Sequence, residues 1–204
     1  LETFEQHMAH LHDEGYYAAS LEELELYVHG KIGLPEKTVV ITFDDGYENN
    51  YTHAYPVLER YGLRASIFVI GNFIREDGEK PKPGMPAYLT RGQMEEMSSV
   101  FDYHSHTHNL HRKEEKYCAK PIPATDDPEV LAADIAVMKS LGFDTPYFAY
   151  PYGYFTHDLV GTLIENGYRM AFTTREGFVR PGDHPMYLPR IGLRSDSDLS
   201  EILQ

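Results

Sequence analysis

Two adjacent aspartates follow a run of β-branched residues in the first quarter of the chain. Residues 38–41 (TVVI) are typical of a buried strand, and Asp44 and Asp45 come just after it, before Gly46 breaks the pattern. The ends of such strands carry the chemistry in α/β folds. Because neighbouring carboxylates repel each other unless a cation or a shared proton offsets their charge, the pair predicts a metal ion bound to one carboxylate. The other is then free to act as a base.

A histidine cluster supplies further ligands for such an ion. Four of the eleven histidines lie within residues 104–111 (HSHTHNLH), after a second strand-like segment. Imidazole nitrogens and a carboxylate oxygen suit zinc or a similar divalent ion, and two histidines with one aspartate leave a position for water or substrate. His104 and His108 are four residues apart, and His106 and His111 are five apart. An incidental metal-binding tract is the alternative, but it does not account for the aspartate pair.

Strands and helices must alternate to position these residues. Repeated strand–helix units predict an α/β fold with a parallel sheet and right-handed crossovers, in a single domain over residues 1–204. The chain of 204 residues is short for a complete eight-fold barrel, which takes about 250 residues. The predicted strands cover residues 38–43, 65–70, 100–106, 147–150, 170–173 and 187–193.

Helix boundaries follow from capping residues and from glycine and proline. Residues 50–61 form one predicted helix, with Pro56 in its first turn or at a kink. The other predicted helices are an amphipathic one at the start of the chain (Phe4, Met8, Leu11), one from Ser20 to Gly30, a short one capped by Thr90, one from Asp127 to Gly142, one capped by Thr156, and a last one from Asp196 or Ser197. Two segments, residues 72–88 and 112–126, are predicted surface loops, and the charged run 113–116 is interpreted as a solvated face.

Composition excludes several functional classes. A net charge of −14 and a pI of about 5.1 argue against nucleic-acid binding, which requires a basic surface, and are compatible with a cationic partner. The single Cys118 excludes an internal disulfide. The sequence contains no 18-residue apolar run, so no membrane-spanning segment is predicted, and no signal peptide is visible, so we expect a mature or trimmed chain. The sequence does not predict an oligomeric state.

Three motifs together resemble a known enzyme family. Residues 42–46 (TFDDG), residues 105–111 (SHTHNLH) and the weaker third motif at residues 148–153 (FAYPYG) are similar to the polysaccharide deacetylases of carbohydrate esterase family 4, which share the NodB homology domain. Within that family the chain resembles the biofilm poly-N-acetylglucosamine deacetylases. The resemblance covers nearly the whole chain, and with the chain length it implies a distorted, incomplete (β/α) barrel of about seven strand–helix units.

The resemblance also implies a reaction and a site. It implies N-deacetylation of a β-linked N-acetylglucosamine polymer outside the cytoplasm, extracellular or at the cell surface, with acetate released by a metal-bound water. The expected cofactor is one divalent ion, zinc, with cobalt or nickel as alternatives. By the family pattern Asp45 is the metal carboxylate and Asp44 the general base. The residues around Ser105 favour His106 and His111 as ligands over His104 and His108.

The third motif is expected to contact substrate. By the family pattern Tyr150, Pro151 and Tyr152 bind substrate, and the backbone N–H of Tyr152 helps to hold the oxyanion; a plain turn is the alternative interpretation. Any sugar-stacking surface must use tyrosine or phenylalanine, since the chain has 16 tyrosines and no tryptophan.

The chain departs from the family pattern at two points. Ala149 stands where the third motif usually carries an arginine that orients the base, and Arg190 is the predicted replacement. The usual late catalytic histidine is absent. His184 is the candidate general acid, although an ordinary loop histidine is the alternative interpretation, and slow turnover is expected.

Other functions remain open at the level of sequence. The same site could act on another acetylated glycan, such as chitin oligomers or peptidoglycan, or on a small amide. The chain could also be a weakly active glycan-binding module, although the intact aspartate pair and histidine cluster argue against this.

Overall fold

A parallel sheet forms the centre of the molecule. The computed structural model describes residues 2–112 and 127–203, so Cys118, the charged run 113–116 and nearly all of the predicted loop 112–126 lie outside the described residues. Five parallel strands form a curled, half-barrel sheet in sequential order, which confirms the predicted α/β fold with an incomplete barrel. These strands are β3 (Thr42–Asp45), β4 (Ala65–Val69), β5 (Phe101–Ser105), β6 (Tyr147–Ala149) and β7 (Met170–Phe172).

Two further strands form a separate small sheet. β1 (Tyr17–Ala18) pairs in parallel with β2 (Thr38–Val39). The strand predicted over residues 38–43 is therefore divided between two sheets, with Val40 and Ile41 between β2 and β3. The division leaves Asp44 and Asp45 inside β3, at its carboxyl end.

Helices cover the sheet at the places that the capping residues predict. Ser20 and Thr90 each form a capping box, and Asp127 and Thr156 accept hydrogen bonds from the first turns of their helices. The α-helices are α1 (Glu2–Asp13), α2 (Leu21–Val28), α3 (Tyr55–Tyr61), α4 (Arg91–Glu96), α5 (Pro128–Ser140), α6 (His157–Glu165) and α7 (Leu199–Ile202). Among the described helices, none is long and apolar enough to cross a membrane.

The helix predicted over residues 50–61 has two parts. Residues Asn50–Ala54 form a π-helix, and α3 follows with Pro56 in its first turn. Because Pro56 has no N–H to donate to the preceding turn, a regular α-helical ladder cannot pass through it, and a wider turn takes its place. This confirms the predicted position of the proline.

The core lies on both faces of the sheet. On one face, side chains of α1, α3 and α4 pack against alternate residues of β4, and side chains of α5 and α6 pack against Phe148 of β6 and Ala171 of β7. On the other face, α2 packs against Phe68, Met170 and Phe172. Residues in β4 are buried on both faces, as expected for a central parallel strand.

The prediction of a strand over residues 187–193 is wrong. Residues Pro185–Tyr187 form a 3₁₀ turn, and Leu188 makes a single parallel bridge with Phe172 of β7. The ladder does not continue, because the carbonyl oxygen of Thr173 accepts from the side-chain Nε of Arg190 (3.1 Å) and not from a backbone N–H. The segment still runs beside β7, and the Arg190 N–H donates to the carbonyl oxygen of Arg175 (2.9 Å).

Candidate metal centre and active site

Three loops at the carboxyl ends of neighbouring strands form the site. Each loop contains one of the three non-glycine residues with positive φ among the described residues: Asp45 (71°) at the end of β3, Thr107 (69°) after β5 and Tyr152 (57°) after β6. Left-handed backbone at a non-glycine residue costs about 1–3 kcal/mol and persists where the surroundings enforce it, commonly at functional sites. All three strained residues thus lie at one edge of the sheet.

The backbone at Asp45 brings two consecutive carboxylates to the same place. In a regular strand successive side chains point to opposite faces. The left-handed conformation of Asp45, followed by Gly46 with φ of 80°, breaks this alternation. Asp44 and Asp45 are therefore both close enough to the histidine loop to attract a charged imidazole electrostatically.

Asp45, His106 and His111 have the geometry of a metal site. Asp45 Oδ1 is 3.4 Å from Nε2 of His106 and 3.4 Å from Nε2 of His111, and one ligand atom from each residue lies within 4.8 Å of the others. A tetrahedral ion with bonds of about 2.0–2.2 Å separates its ligand atoms by about 3.3–3.6 Å. Asp45 Oδ1 is buried and has no hydrogen-bond partner among the described residues, so these three residues fit a divalent ion.

The two histidines present unprotonated nitrogens to this position. The Nδ1–H of His106 donates to the carbonyl oxygen of Ala149 (2.7 Å), and because a carbonyl can only accept, the lone pair of the neutral ring lies on Nε2. Burial and the neighbouring His106 lower the pKa of His111, against the opposing effect of Asp45. The tautomer of His106 and the lowered pKa of His111 thus both favour metal ligation.

Arg190 binds Asp44 through two parallel hydrogen bonds. Nη1 and Nη2 of Arg190 donate to Oδ1 and Oδ2 of Asp44, each at 2.8 Å. Arg190 Nε also donates to the carbonyl oxygen of Thr173 (3.1 Å), and its guanidinium lies 6.0 Å from the ring centre of Phe68. Burial raises the pKa of Asp44, but Arg190 and the nearby histidines outweigh this effect and hold that pKa below its usual range. Asp44 is therefore ionised and held in one orientation.

Tyr152 lies against one of the candidate ligands. Its ring centre is 4.3 Å from that of His111, at 37° between the ring planes. Burial, with Asp45 nearby, raises the pKa of Tyr152, so the phenol is protonated. The turn requires Gly153, which has φ of 70° and on which a Cβ would meet Thr174 Oγ1 at 2.1 Å. In the third motif, the Tyr152 ring thus contacts His111, and the Ala149 carbonyl contacts His106.

Three other candidate residues have their side chains engaged elsewhere. Tyr150 is 2% exposed and its hydroxyl donates to the carbonyl oxygen of Met186, and Pro151 is also buried, so neither side chain is exposed for contact with a substrate. His184 Nδ1 accepts from the Met186 N–H (3.2 Å) and its ring packs on Tyr187, contacts that an ordinary loop histidine also makes.

His104 and His108 do not join the cluster either. His104 is 3% exposed, and its Nδ1 lies 3.1 Å from Thr145 Oγ1. Burial lowers the pKa of His104 to about 4, so its ring is neutral. The group that the described residues bring together is the one with the spacing of five.

Asp134, an acidic residue behind the histidine loop, was not predicted from the sequence. Asp134 lies on the buried face of α5 with Leu131, Ile135 and Met138, and is itself 8% exposed. The spacing of these apolar residues already places position 134 on the core side. An aspartate at a core position was therefore the available signal.

Two tyrosines beside Asp45 were also missed. Tyr47 stacks on Tyr88 (ring centres 5.0 Å apart), and Tyr88 stacks on Phe73 (4.6 Å). Burial, with Asp45 close by, raises the pKa of Tyr47. The pairing depends on an isolated bridge between residues 41 positions apart in sequence, for which the sequence carries no signal.

Comparison with known proteins identifies the family. Residues 31–171 match the family model for polysaccharide deacetylase. The chain belongs to the polysaccharide deacetylase family. This match confirms the resemblance that the three motifs indicated. The members of this family are enzymes, and the family is also classified as carbohydrate esterase family 4.

Relatives within the family support the same assignment. The poly-β-1,6-N-acetyl-D-glucosamine N-deacetylase of Staphylococcus aureus (strain N315) is 27% identical over 84% of this chain and 60% of its own length. The solved structure of IcaB from Ammonifex degensii is 32% identical, with a TM-score of 0.82 over 95% of this chain and 83% of that one. The Streptococcus pyogenes deacetylase PplD, solved with acetate, is 27% identical, with a TM-score of 0.80 over 99% and 84%. The chain spans about 60% of the length of the curated relatives it matches.

Proposed function

We propose that the chain is a metal-dependent N-deacetylase of a β-linked N-acetylglucosamine polymer. One observation carries the proposal: the Asp45, His106 and His111 cluster lies beside a second carboxylate, Asp44, that Arg190 holds ionised. The name of the Staphylococcus aureus relative supports the choice of polymer. We infer an extracellular or cell-surface location from the substrate, since a long polysaccharide cannot enter a cell.

Asp45, His106 and His111 would hold the ion, with zinc the expected metal. When bound, such an ion makes a water molecule more acidic and polarises the acetamide carbonyl. The His106 Nδ1–H donates to Ala149, which keeps Nε2 of that ring available as a ligand. A bound cation would also offset the negative charge on Asp45 Oδ1, which is buried and has no described hydrogen-bond partner.

Asp44 acts as the general base in this proposal. It accepts a proton from the attacking water, whose oxygen forms the new bond to the acetyl carbon. Arg190 fixes the plane of the carboxylate through both oxygens and so keeps the accepting lone pair in place. The backbone N–H of Tyr152 is our candidate for binding the oxyanion as the carbonyl carbon becomes tetrahedral.

Departure of the amine requires a proton on nitrogen as the C–N bond breaks. His184 contacts Met186 and Tyr187, and no described hydrogen bond or ion pair joins it to Asp44. We therefore assign this step to Asp44, which returns the proton that it took from water. Because the pKa of Asp44 lies below its usual range, the protonated carboxyl is a strong donor to an amine. Water is consumed, and acetate and a free amino sugar are formed.

A panel of acetylated substrates tests this proposal. Acetate release is measured for the metal-loaded protein on β-1,6-linked N-acetylglucosamine oligomers, chitin oligomers, N-acetylated peptidoglycan fragments and acetylated xylan. We expect the highest rate on the β-1,6-linked oligomers and a loss of about 10²–10⁴-fold with Asp44→Asn. A higher rate on xylan, or one unaffected by Asp44→Asn, contradicts the proposal. A higher rate on chitin or peptidoglycan fragments would keep the deacetylase and change its polymer.

A further inference from the structure

A buried carboxylate on α5 binds the backbone of the histidine loop. Asp134 Oδ1 accepts a hydrogen bond from the N–H of His108 (2.7 Å), and Oδ2 accepts one from the N–H of Asn109 (2.8 Å). Both oxygens of one side chain thus bind two successive amides, in the way that an N-cap binds the first amides of a helix. The donors lie between the two candidate histidine ligands in sequence.

Other contacts complete the fixation of this loop. The Leu110 N–H donates to Thr107 Oγ1 (3.3 Å), so side-chain oxygens bind three successive amides. The carbonyl oxygens of Thr107 and His108 accept from the N–H groups of Gly71 (3.0 Å) and Asn72 (2.9 Å). The loop is therefore attached to α5 on one side and to the segment after β4 on the other.

The two histidines depend on this loop to different degrees. His106 directly follows β5, and its ring is fixed by the carbonyl of Ala149. His111 lies five residues further on, outside any described strand or helix, so its position depends on the conformation of residues 107–110. We propose that Asp134 is a positioning residue that places His111 opposite His106 and Asp45, and thereby sets the metal affinity of the site.

The burial of Asp134 supports a role beyond stability. Its neighbours on the same helix face, Leu131, Ile135 and Met138, belong to the core, and an apolar side chain would fit the same pattern. Burial raises the pKa of Asp134 above its ordinary value, against the opposing effect of the two amides. The fold thus keeps a carboxylate where its charge is unfavourable, and the histidine loop is what the carboxylate binds.

Metal binding separates positioning from stability. The inference rests on the metal site of the proposed function. Zn²⁺ affinity of the metal-free protein is measured by competition with a chromophoric chelator, and the Co²⁺ absorption spectrum reports ligand geometry. The variants are Asp134→Asn, which keeps the shape but replaces an acceptor with a donor, and Asp134→Ala. The matched control is Asp127→Ala, which removes the N-cap of the same helix and keeps both hydrogen bonds from Asp134 to the histidine loop.

We expect Asp134→Asn to raise the Kd for Zn²⁺ by about tenfold or more, the lower end of the effect of replacing a residue that supports a metal ligand. We also expect the Co²⁺ spectrum to change. Asp127→Ala should lower the thermal midpoint of the metal-free protein without either change. A Kd within twofold of the parent in Asp134→Asn, or an equal loss in Asp127→Ala, overturns the inference. If Asp134→Ala does not fold, Asp134→Asn decides. A parent that binds no metal overturns the proposed function as well, whereas a parent that binds one equivalent separates the two failures.

Discussion

Replacing Arg190 tests how the base is held. The two 2.8 Å bonds to Asp44 place unit charges about 4 Å apart, which corresponds to about 4 kcal/mol at an effective dielectric constant of about 20. The Arg190 and Asp44 side chains are 17% and 31% exposed, so solvent screens part of this attraction, and we take about half, or about 2 kcal/mol, as the orienting effect. If Arg190→Gln loses this amount in the transition state, the rate falls about 30-fold.

The assay is acetate release from a β-1,6-linked N-acetylglucosamine oligomer by metal-loaded protein. Arg169→Gln is the matched control, because Arg169 makes a similar two-bond contact to Glu25 (2.6 and 3.0 Å) outside the ligand cluster. We expect kcat to fall in Arg190→Gln, with metal content unchanged, and to stay within about twofold in Arg169→Gln. If Arg190→Gln keeps more than half of the parent kcat, Arg190 does not position the base.

Three further predictions concern separate parts of the structure. Asp44→Asn should retain one equivalent of metal while kcat falls, whereas Asp45→Asn should lose metal, and equal metal loss in both would contradict the division of roles; elemental analysis with kinetics decides. His111→Gln should abolish metal binding in equilibrium dialysis and His104→Gln should not, since His104 is bound to Thr145 in the core; the reverse pattern would favour the spacing of four. Burial raises the pKa of Glu25, but the hydrogen bonds from Arg169 and Tyr147 outweigh burial and lower that pKa below its ordinary value of 4.5. The stability that ionised Glu25 contributes is therefore present above pH 4.5 and is lost as the pH falls below it. Glu25→Gln should therefore reduce the loss of stability on acidification by about 0.5–1 kcal/mol in urea titrations between pH 3 and 7, and an unchanged dependence would contradict this linkage.

Local signals predicted much of the fold. Helix starts followed from Ser20, Thr90, Asp127 and Thr156, because a cap depends on residues only a few positions apart. The strand at residues 187–193 was predicted wrongly, because its apolar pattern did not show that regular pairing with β7 is limited to Leu188.

The candidate site was predictable where its residues carry their own chemistry. The aspartate pair and the histidine cluster stand out by type and spacing. The family pattern selected Asp45, His106 and His111 among them, and the structure brings these three together. The contact between Arg190 and Asp44 was expected from a family pattern, since 146 residues separate them and no periodicity links them. Asp134 was missed because its partners are backbone amides, which a sequence does not distinguish.

Titration of the metal-free protein with Zn²⁺ tests the central claim most directly. Acetate release from a β-1,6-linked N-acetylglucosamine oligomer is followed as metal is added, in the parent and in His111→Gln. We expect no release without metal, a linear rise that ends at one equivalent, and no response in His111→Gln. Full activity in the metal-free parent, or an equal response in His111→Gln, would contradict the central claim.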